Sequence, residues 1–109
     1  MAHYLLQLSY KPEAWAAMIK NPQDRAQAVE TAVQKLGGKM ERFWLSFGEY
    51  DIVGIVEMPD NVAAAAFAMA IGAGGACMNV KTTPLLSTHD GVEAMKKAAT
   101  CGYKPVTAS

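Results

Sequence analysis

The residues best suited to chemistry lie together in Phe47-Gly48-Glu49-Tyr50-Asp51-Ile52-Val53, between two apolar runs. Here the phenol of Tyr50 directly precedes the carboxylate of Asp51. At the mouth of a hairpin, these groups can donate a proton to, or accept one from, a single bound polar ligand. A structural role is the simpler interpretation, because Asp accepts backbone N–H bonds in turns and a Tyr ring packs in a core. Gly48 is expected to supply a positive φ to the hairpin loop.

A second group of candidates places polar or aromatic side chains within otherwise apolar strands. Arg42 and Lys81 either face solvent at a sheet edge or neutralise an anionic ligand in a pocket. Trp44 is more typical of a core or an interface than of a surface on which a ligand stacks. We therefore predict a ligand pocket between a sheet and its helices, with a lining drawn from Tyr10, Arg42, Trp44, Ser46 and Lys81.

Other kinds of catalytic or metal site have less support. His3 and His89 are the only histidines, so a haem or general-base hypothesis rests on one of them, and a solvated side chain is the simpler interpretation. Cys77 and Cys101 lie outside any zinc-ligand spacing, so we expect free thiols. The segment 72–75 is rich in glycine but lacks the lysine and Ser/Thr of a phosphate-binding loop. We predict no metal and no cofactor.

Length and composition favour a small globular protein. The 109 residues fit one domain, 1–109, with a core over about 3–99 and a flexible tail over 100–109. Ten basic and ten acidic side chains give no basic patch, so we expect no nucleic-acid partner. The sequence has neither a basic leader followed by an apolar segment nor an apolar run of membrane-spanning length. The expectation is therefore a cytoplasmic protein without a membrane partner.

The first third of the chain predicts one strand and two helices. Tyr4–Tyr10 alternates in part and reads as a strand, after which Pro12 starts a short helix. Asn21 is expected to cap a second helix, because its side chain can accept a backbone N–H. Gly37 ends that helix, since glycine adopts the left-handed conformation without a steric penalty. The core-facing stripe of the second helix consists of Ala26, Val29, Ala32, Val33 and Leu36.

Three further strands are predicted over Lys39–Phe47, Asp51–Met58 and Cys77–Thr83. The β-branched content of Asp51–Met58 fits an interior strand, and Pro84 is expected to stop the last one. Regular alternation along the first of these strands places on one side Met40, Arg42, Trp44 and Ser46.

Two more helices complete the pattern. An alanine-rich helix, capped by Asp60 or Asn61, runs from Val62 to about Ile71 and is broken by the glycines that follow. Ser87 begins a last helix in a motif that resembles a capping box. Val92, Met95 and Ala99 give this helix its apolar spacing.

The resulting order, β-α-β-β-α-β with an added C-terminal helix, is that of a ferredoxin-like α+β fold with a four-stranded antiparallel sheet. Helices then cover one face of the sheet only. Because the strands carry many apolar side chains, we expect the other face to pack against a second copy, giving a homodimer or a higher homo-oligomer.

Several segments also resemble the GYD domain family over roughly residues 3–95. They are the early strand Tyr4–Tyr10, the block Phe47–Asp60 with Gly48-Glu49-Tyr50-Asp51, the alanine-rich helix, and Val80–Leu86. The resemblance implies a dimeric α+β barrel, in which two ferredoxin-like protomers pack sheet to sheet. That superfamily includes cofactor-independent monooxygenases, isomerases, haem-degrading enzymes and ligand sensors. The resemblance implies no particular reaction for a GYD protein, since fold alone does not decide function.

Three functions therefore remain open. The favoured one is a homo-oligomeric module that binds a small apolar or weakly anionic ligand. The alternative is a cofactor-independent monooxygenase or isomerase that uses Tyr50 or Asp51 as proton donor or acceptor. The third is a structural module that only self-assembles.

Overall fold

The structure, a computed structural model, describes residues 1–107. Its helices and strands, in chain order, are β1 (Ala2–Tyr10), α1 (Pro12–Lys20), α2 (Ala26–Lys35), β2 (Lys39–Leu45), β3 (Ile52–Met58), α3 (Asn61–Gly74), β4 (Cys77–Leu85) and α4 (Thr88–Ala98).

The four strands form one antiparallel sheet in the order β2-β3-β1-β4. The first strand therefore lies in the interior beside β3, while β2 and β4 are the edges. This topology confirms the ferredoxin-like prediction. The register places Leu6 of β1 opposite Gly54 of β3 on one side and Thr82 of β4 on the other.

The core lies on one face of this sheet, between the strands and the helices. Burial alternates along β3, where every second residue from Ile52 to Met58 is buried. The core consists of Tyr4, Leu6, Leu8, Tyr10, Val33, Ile52, Val56, Met58, Ala64 and Phe67. The opposite face, here called the uncovered face, carries the residues between them, such as the half-buried Leu5, Val53 and Ile55. No helix of residues 1–107 shields these side chains from solvent.

Several helix ends follow the predicted chemistry. Asp60 caps α3, because its Oδ1 accepts a hydrogen bond from the Ala63 N–H at 2.9 Å. The Ser87 hydroxyl likewise accepts from the Asp90 N–H at 3.0 Å at the start of α4. Gly37 follows α2 with a φ of 84°, as the glycine expected after that helix.

The predicted start of the second helix is wrong, because α2 begins at Ala26 and residues 21–25 are irregular. Asn21 makes no cap for it. Instead, the Asp24 side chain accepts a hydrogen bond from the Ala26 N–H at 2.8 Å, a local contact that holds the backbone just before the helix. The irregular stretch leaves a gap between α1 and α2.

The predicted alternation along the second strand is interrupted at Glu41. Met40 pairs with Val56 and Arg42 with Ile55, so that Glu41 is an extra residue in a β-bulge. As a result, Met40 packs against the core while Arg42 is exposed on the other face. Regular alternation had placed these two side chains together.

Two predicted element ends are also too early. Strand β4 continues through Pro84 to Leu85, because it is an edge strand and proline needs no ladder N–H on a free edge. Helix α3 continues through Gly72 to Gly74 and is capped at its C-terminus by Gly75, whose φ is 79°.

Gly48 does not have the predicted positive φ. Within residues 1–107, positive φ values occur at Gly37, Gly75 and Gly102. The loop between β2 and β3 spans residues 46–51, and at this length the turn does not require a left-handed residue at Gly48.

Helix α4 projects away from the rest of the chain. All of its residues are exposed except the half-buried Gly91, including the apolar Val92 and Met95. The radius of gyration is 17.6 Å, whereas a compact chain of this length has about 13 Å. Among residues 1–107, no helix is both long and apolar enough to cross a membrane.

Candidate functional site

Two clefts lie on either side of an aromatic pair formed by Tyr10 and Trp15. The two rings contact edge to face, with centroids 5.4 Å apart and planes at 78°. Tyr10 is the last residue of β1, and Trp15 lies in the first turns of α1. Both residues line both clefts, so the pair forms the wall between them.

The larger cleft, here called the α1–α2 cleft, occupies the gap left by the irregular residues 21–25. Its volume is about 700 Å³. Most of its lining is apolar, and its charged side chains are Asp24 and Arg25. The full lining is Tyr10, Trp15, Met18, Ile19, Pro22, Gln23, Asp24, Arg25, Ala26, Phe43, Leu45 and Ile52.

The smaller cleft, here called the hairpin cleft, lies against the β2–β3 loop. Its volume is about 590 Å³. Asp51, Gly48 and Glu49 of the loop line it together with Ser9 of β1 and Met78 of β4. Tyr50 lines neither cleft, although it is half-buried.

Asp51 connects three parts of the fold. Its Oδ2 accepts hydrogen bonds from the Tyr10 backbone N–H at 2.9 Å and from the Trp15 indole N–H at 3.2 Å. Its own backbone N–H donates to the Leu8 carbonyl at 2.8 Å. The carboxylate therefore joins the start of β3 to the end of β1 and to α1. This is the structural role expected of Asp51, but its partners lie outside the loop.

The loop is held against β1 by a further contact. The Ser9 hydroxyl, in a buried residue, donates to the Glu49 carbonyl at 3.0 Å. Together with the Asp51 contacts, this fixes the loop to the wall of the hairpin cleft.

Burial influences the titratable groups around the aromatic pair. Burial is the main factor that raises the pKa of the Tyr10 phenol. Cys77 raises this pKa further, Arg25 lowers it, and Asp51 makes the smallest contribution, which also raises the pKa. Burial also raises the pKa of the Cys77 thiol, with a second contribution from the Asp51 carboxylate. Near neutral pH the phenol is therefore a hydrogen-bond donor and the thiol is protonated.

The structure brings only one of the five predicted pocket residues into the α1–α2 cleft. That residue is Tyr10. Arg42, Trp44 and Lys81 pair with Ile55, Val53 and Gln7, which places them on the uncovered face. Ser46 follows β2 and donates its backbone N–H to the Asp51 carbonyl at 2.7 Å.

Both histidines lie away from the clefts. His89 is exposed in α4, with Nδ1 3.7 Å from a carboxylate oxygen of Asp90. His3 lies on the uncovered face, near two glutamates. Cys77 and Cys101 are free, as predicted.

Sequence reasoning missed Trp15 and Arg25 as site residues. In the sequence, Trp15 lies at helical spacing from Met18 and Ile19, a pattern that indicates the apolar face of a helix and not a site. The break at Asn21-Pro22 was the available signal, because a helix that stops early leaves space beside its end. Arg25 lies in that break, where a charged side chain looks like an ordinary solvated residue.

A family model described as the GYD domain matches residues 4–99 of this chain. The chain belongs to the GYD domain family. The match includes the aromatic pair, both clefts and the whole of α4, and it confirms the resemblance seen in the block around Gly48-Glu49-Tyr50-Asp51. Within this GYD domain, Asp51 of the signature segment fixes the wall between the two clefts. No curated protein and no solved structure matched the chain.

Proposed function

We propose that this GYD domain binds a small apolar molecule with an anionic group in the α1–α2 cleft. The observation that carries the proposal is a largely apolar cleft of about 700 Å³ with a guanidinium at its margin. Ligand pockets commonly have this volume, an apolar lining and a few polar groups that orient the ligand.

The apolar part of the ligand is assigned to the side chains that the sheet and α1 contribute to the α1–α2 cleft. Phe43, Leu45 and Ile52 come from the sheet, while Met18 and Ile19 come from α1. Ile19 is 74% exposed and Leu45 66% exposed, so a ligand here would remove apolar surface from water. The flexible Met18 side chain suits ligands of more than one shape.

The anionic group is assigned to Arg25. Its Nη1 donates to the Gln23 side chain at 3.3 Å, and its other N–H groups make no hydrogen bond among residues 1–107, so they are available for a carboxylate or sulfonate. Asp24 is the competing charge, but its Oδ1 already accepts a hydrogen bond from the Ala26 N–H. The protonated Tyr10 phenol supplies a further donor in the same cleft.

The test uses anilinonaphthalene sulfonate, an aromatic probe with one negative charge, and anilinonaphthalene as its uncharged counterpart. In a Trp44→Phe background, Trp15 is the only tryptophan, so energy transfer from it reports binding beside the aromatic pair. Arg25→Gln is expected to weaken sulfonate binding about tenfold, because a hydrogen bond to a charged group contributes about 1.5–3 kcal/mol. Binding of the uncharged probe should be unchanged.

Arg42→Gln is the matched control, because Arg42 is an exposed arginine on the uncovered face. Equal sulfonate affinity of Arg25→Gln and the parent protein would contradict the proposal. A loss confined to Arg42→Gln would assign the ligand to the uncovered face. Failure of both probes to bind would favour a module that only self-assembles.

The enzyme alternative has weaker support. Asp51 lines the hairpin cleft, but its Oδ2 already accepts two hydrogen bonds that hold the fold. Tyr50 lines neither cleft. A proton-transfer role for Asp51 would gain support if Asp51→Asn abolished turnover of a bound compound while leaving its affinity and the fold intact.

We propose that a second copy of the chain covers the uncovered face. The support is its apolar content: Leu5, Val53 and Ile55 are half-buried, and Trp44 is 51% exposed. A contiguous apolar patch of this kind is typical of an interaction surface. The face lies across the sheet from the α1–α2 cleft, so association and ligand binding can be measured separately.

A further inference from the structure

We propose that His3, Glu41 and Glu57 form a binding site for a divalent transition-metal ion, with Zn²⁺ as the best-suited ion. One ligand atom from each residue lies within 4.8 Å of the other two. The three residues, here called the three-strand cluster, lie on β1, β2 and β3. The proposal is independent of the ligand assigned to the α1–α2 cleft.

The distances within the cluster fit ligands that share one ion. The Nε2 atom of His3 lies 3.1 Å from Oε1 of Glu41 and 3.7 Å from Oε1 of Glu57. Nitrogen and oxygen ligands of tetrahedral zinc, at about 2.0–2.1 Å from the ion, are about 3.3 Å from one another. The observed separations therefore require only small side-chain adjustments.

The backbone determines this arrangement. Glu57 is directly opposite His3 in the β1–β3 ladder, so both side chains project from the uncovered face. Lys39, opposite Glu57 in the β2–β3 ladder, projects from the same face, and alternation from Lys39 places Glu41 there as well. The β-bulge at Glu41 then brings Arg42 to this face too, whereas regular alternation would place Arg42 with Met40.

The charge of the cluster also suits a divalent cation. Within residues 1–107, neither glutamate forms an ion pair with a lysine or an arginine. The Glu57 side chain is only 19% exposed and that of Glu41 is 35% exposed, so solvent screens the two carboxylates incompletely. Two basic residues lie next to the cluster on this face: Lys39 is opposite Glu57 in the β2–β3 ladder, and Nη1 of Arg42 donates to the backbone carbonyl of Glu41 at 3.2 Å.

The donor set decides the class of ion. One imidazole nitrogen and two carboxylate oxygens suit Zn²⁺ and neighbouring transition ions, whereas Mg²⁺ prefers oxygen ligands alone. Three protein ligands leave a fourth tetrahedral position for water or another small ligand.

Isothermal titration of the metal-stripped full chain with Zn²⁺ tests the proposal. We expect one ion per chain, an increase in thermal midpoint on binding, and no response to Mg²⁺. Each of His3→Gln, Glu41→Gln and Glu57→Gln should weaken Zn²⁺ binding at least about 10- to 100-fold, since even loss of a group that only supports a ligand has an effect of that size.

His89→Gln is the matched control, because His89 also lies beside a carboxylate but, in the part of the chain that the structure describes, pairs with Asp90 alone. It should bind Zn²⁺ as the parent protein does. Far-UV circular dichroism of each variant establishes that it is folded. Absence of Zn²⁺ binding by the parent protein would overturn the proposal. So would retention of parental affinity by both Glu41→Gln and Glu57→Gln, because His3 would then act without the cluster.

Discussion

At the scale of single residues, one carboxylate oxygen of Asp51 joins the β2–β3 loop to β1 and to α1. It accepts from the Tyr10 backbone and from the Trp15 indole, and so controls the position of the aromatic wall between the two clefts. The charge strengthens both hydrogen bonds, because an ionised acceptor binds donors more tightly than a neutral one.

We predict that Asp51→Asn lowers the free energy of unfolding by about 1–3 kcal/mol, the usual range when a charged acceptor is lost from partly buried donors. Urea denaturation in the Trp44→Phe background, followed by the fluorescence of Trp15, measures the change. Glu49→Gln is the control, because the structure uses the backbone carbonyl of Glu49 and its side chain is exposed. Equal stability of the two variants would mean that the Asp51 contacts contribute little.

Two glycines allow a second prediction. A Cβ added at Gly48 meets no atom of residues 1–107 within 4 Å, and the φ of Gly48 is not positive, so Gly48→Ala should alter the free energy of unfolding by less than about 1 kcal/mol. A Cβ at Gly38 would collide with the Glu57 carbonyl and the Met58 side chain. Gly38→Ala should therefore be destabilising by about 1–3 kcal/mol or more, as measured by the same urea titration. A larger loss of unfolding free energy in Gly48→Ala than in Gly38→Ala would contradict this prediction.

At the scale of helices and strands, local chemistry made most elements predictable. Asp60, Ser87 and Gly37 each begin or end a helix through backbone groups close to them in sequence, so short segments of sequence are enough to predict these helix ends. The β-branched residues of β3 likewise indicated an interior strand. These signals, taken together, were sufficient for the order of elements and for the ferredoxin-like topology.

The remaining features depend on contacts between distant segments. Trp15 and Asp51 are separated by 36 residues, and no short pattern reveals that they meet. The bulge at Glu41 depends on pairing with β3, so alternation along β2 alone could not indicate it. The candidate site was therefore predicted less well than the fold. The sequence identified Asp51 as a candidate residue, but it did not identify Trp15 or Arg25.

Helix α4 gives a prediction at this scale. Removal of the chain after Ser87 should change the free energy of unfolding by less than about 1 kcal/mol, because an exposed helix of this length contributes little without packing. Urea denaturation of the shortened and full-length chains at low protein concentration makes the comparison. A loss of several kcal/mol would instead show that α4 packs against a second copy.

At the scale of the whole molecule, the two proposed binding sites lie on opposite faces of the sheet. The α1–α2 cleft lies on the helical side of the sheet, and the three-strand cluster lies on the uncovered face. Association through that face would leave the α1–α2 cleft accessible to a ligand.

We predict that Ile55→Glu converts a dimer into monomers, because it places a charge at the centre of the apolar face. Light scattering after size-exclusion chromatography should change from twice the chain mass of 11.7 kDa to a single chain mass. Met69→Glu, at an exposed position of α3, should leave the mass unchanged. A monomeric parent protein, or loss of the dimer in Met69→Glu alone, would contradict the interface.

The two edges of the sheet bear on aggregation. On β4, Pro84 lacks a backbone donor and Lys81 carries a charge, while β2 combines its bulge with Lys39, Glu41 and Arg42. Such features discourage a further strand from another chain from pairing with an edge, the contact from which fibrous aggregates grow. The sheet can thus present an apolar face to a partner while both of its edges resist open-ended polymerisation.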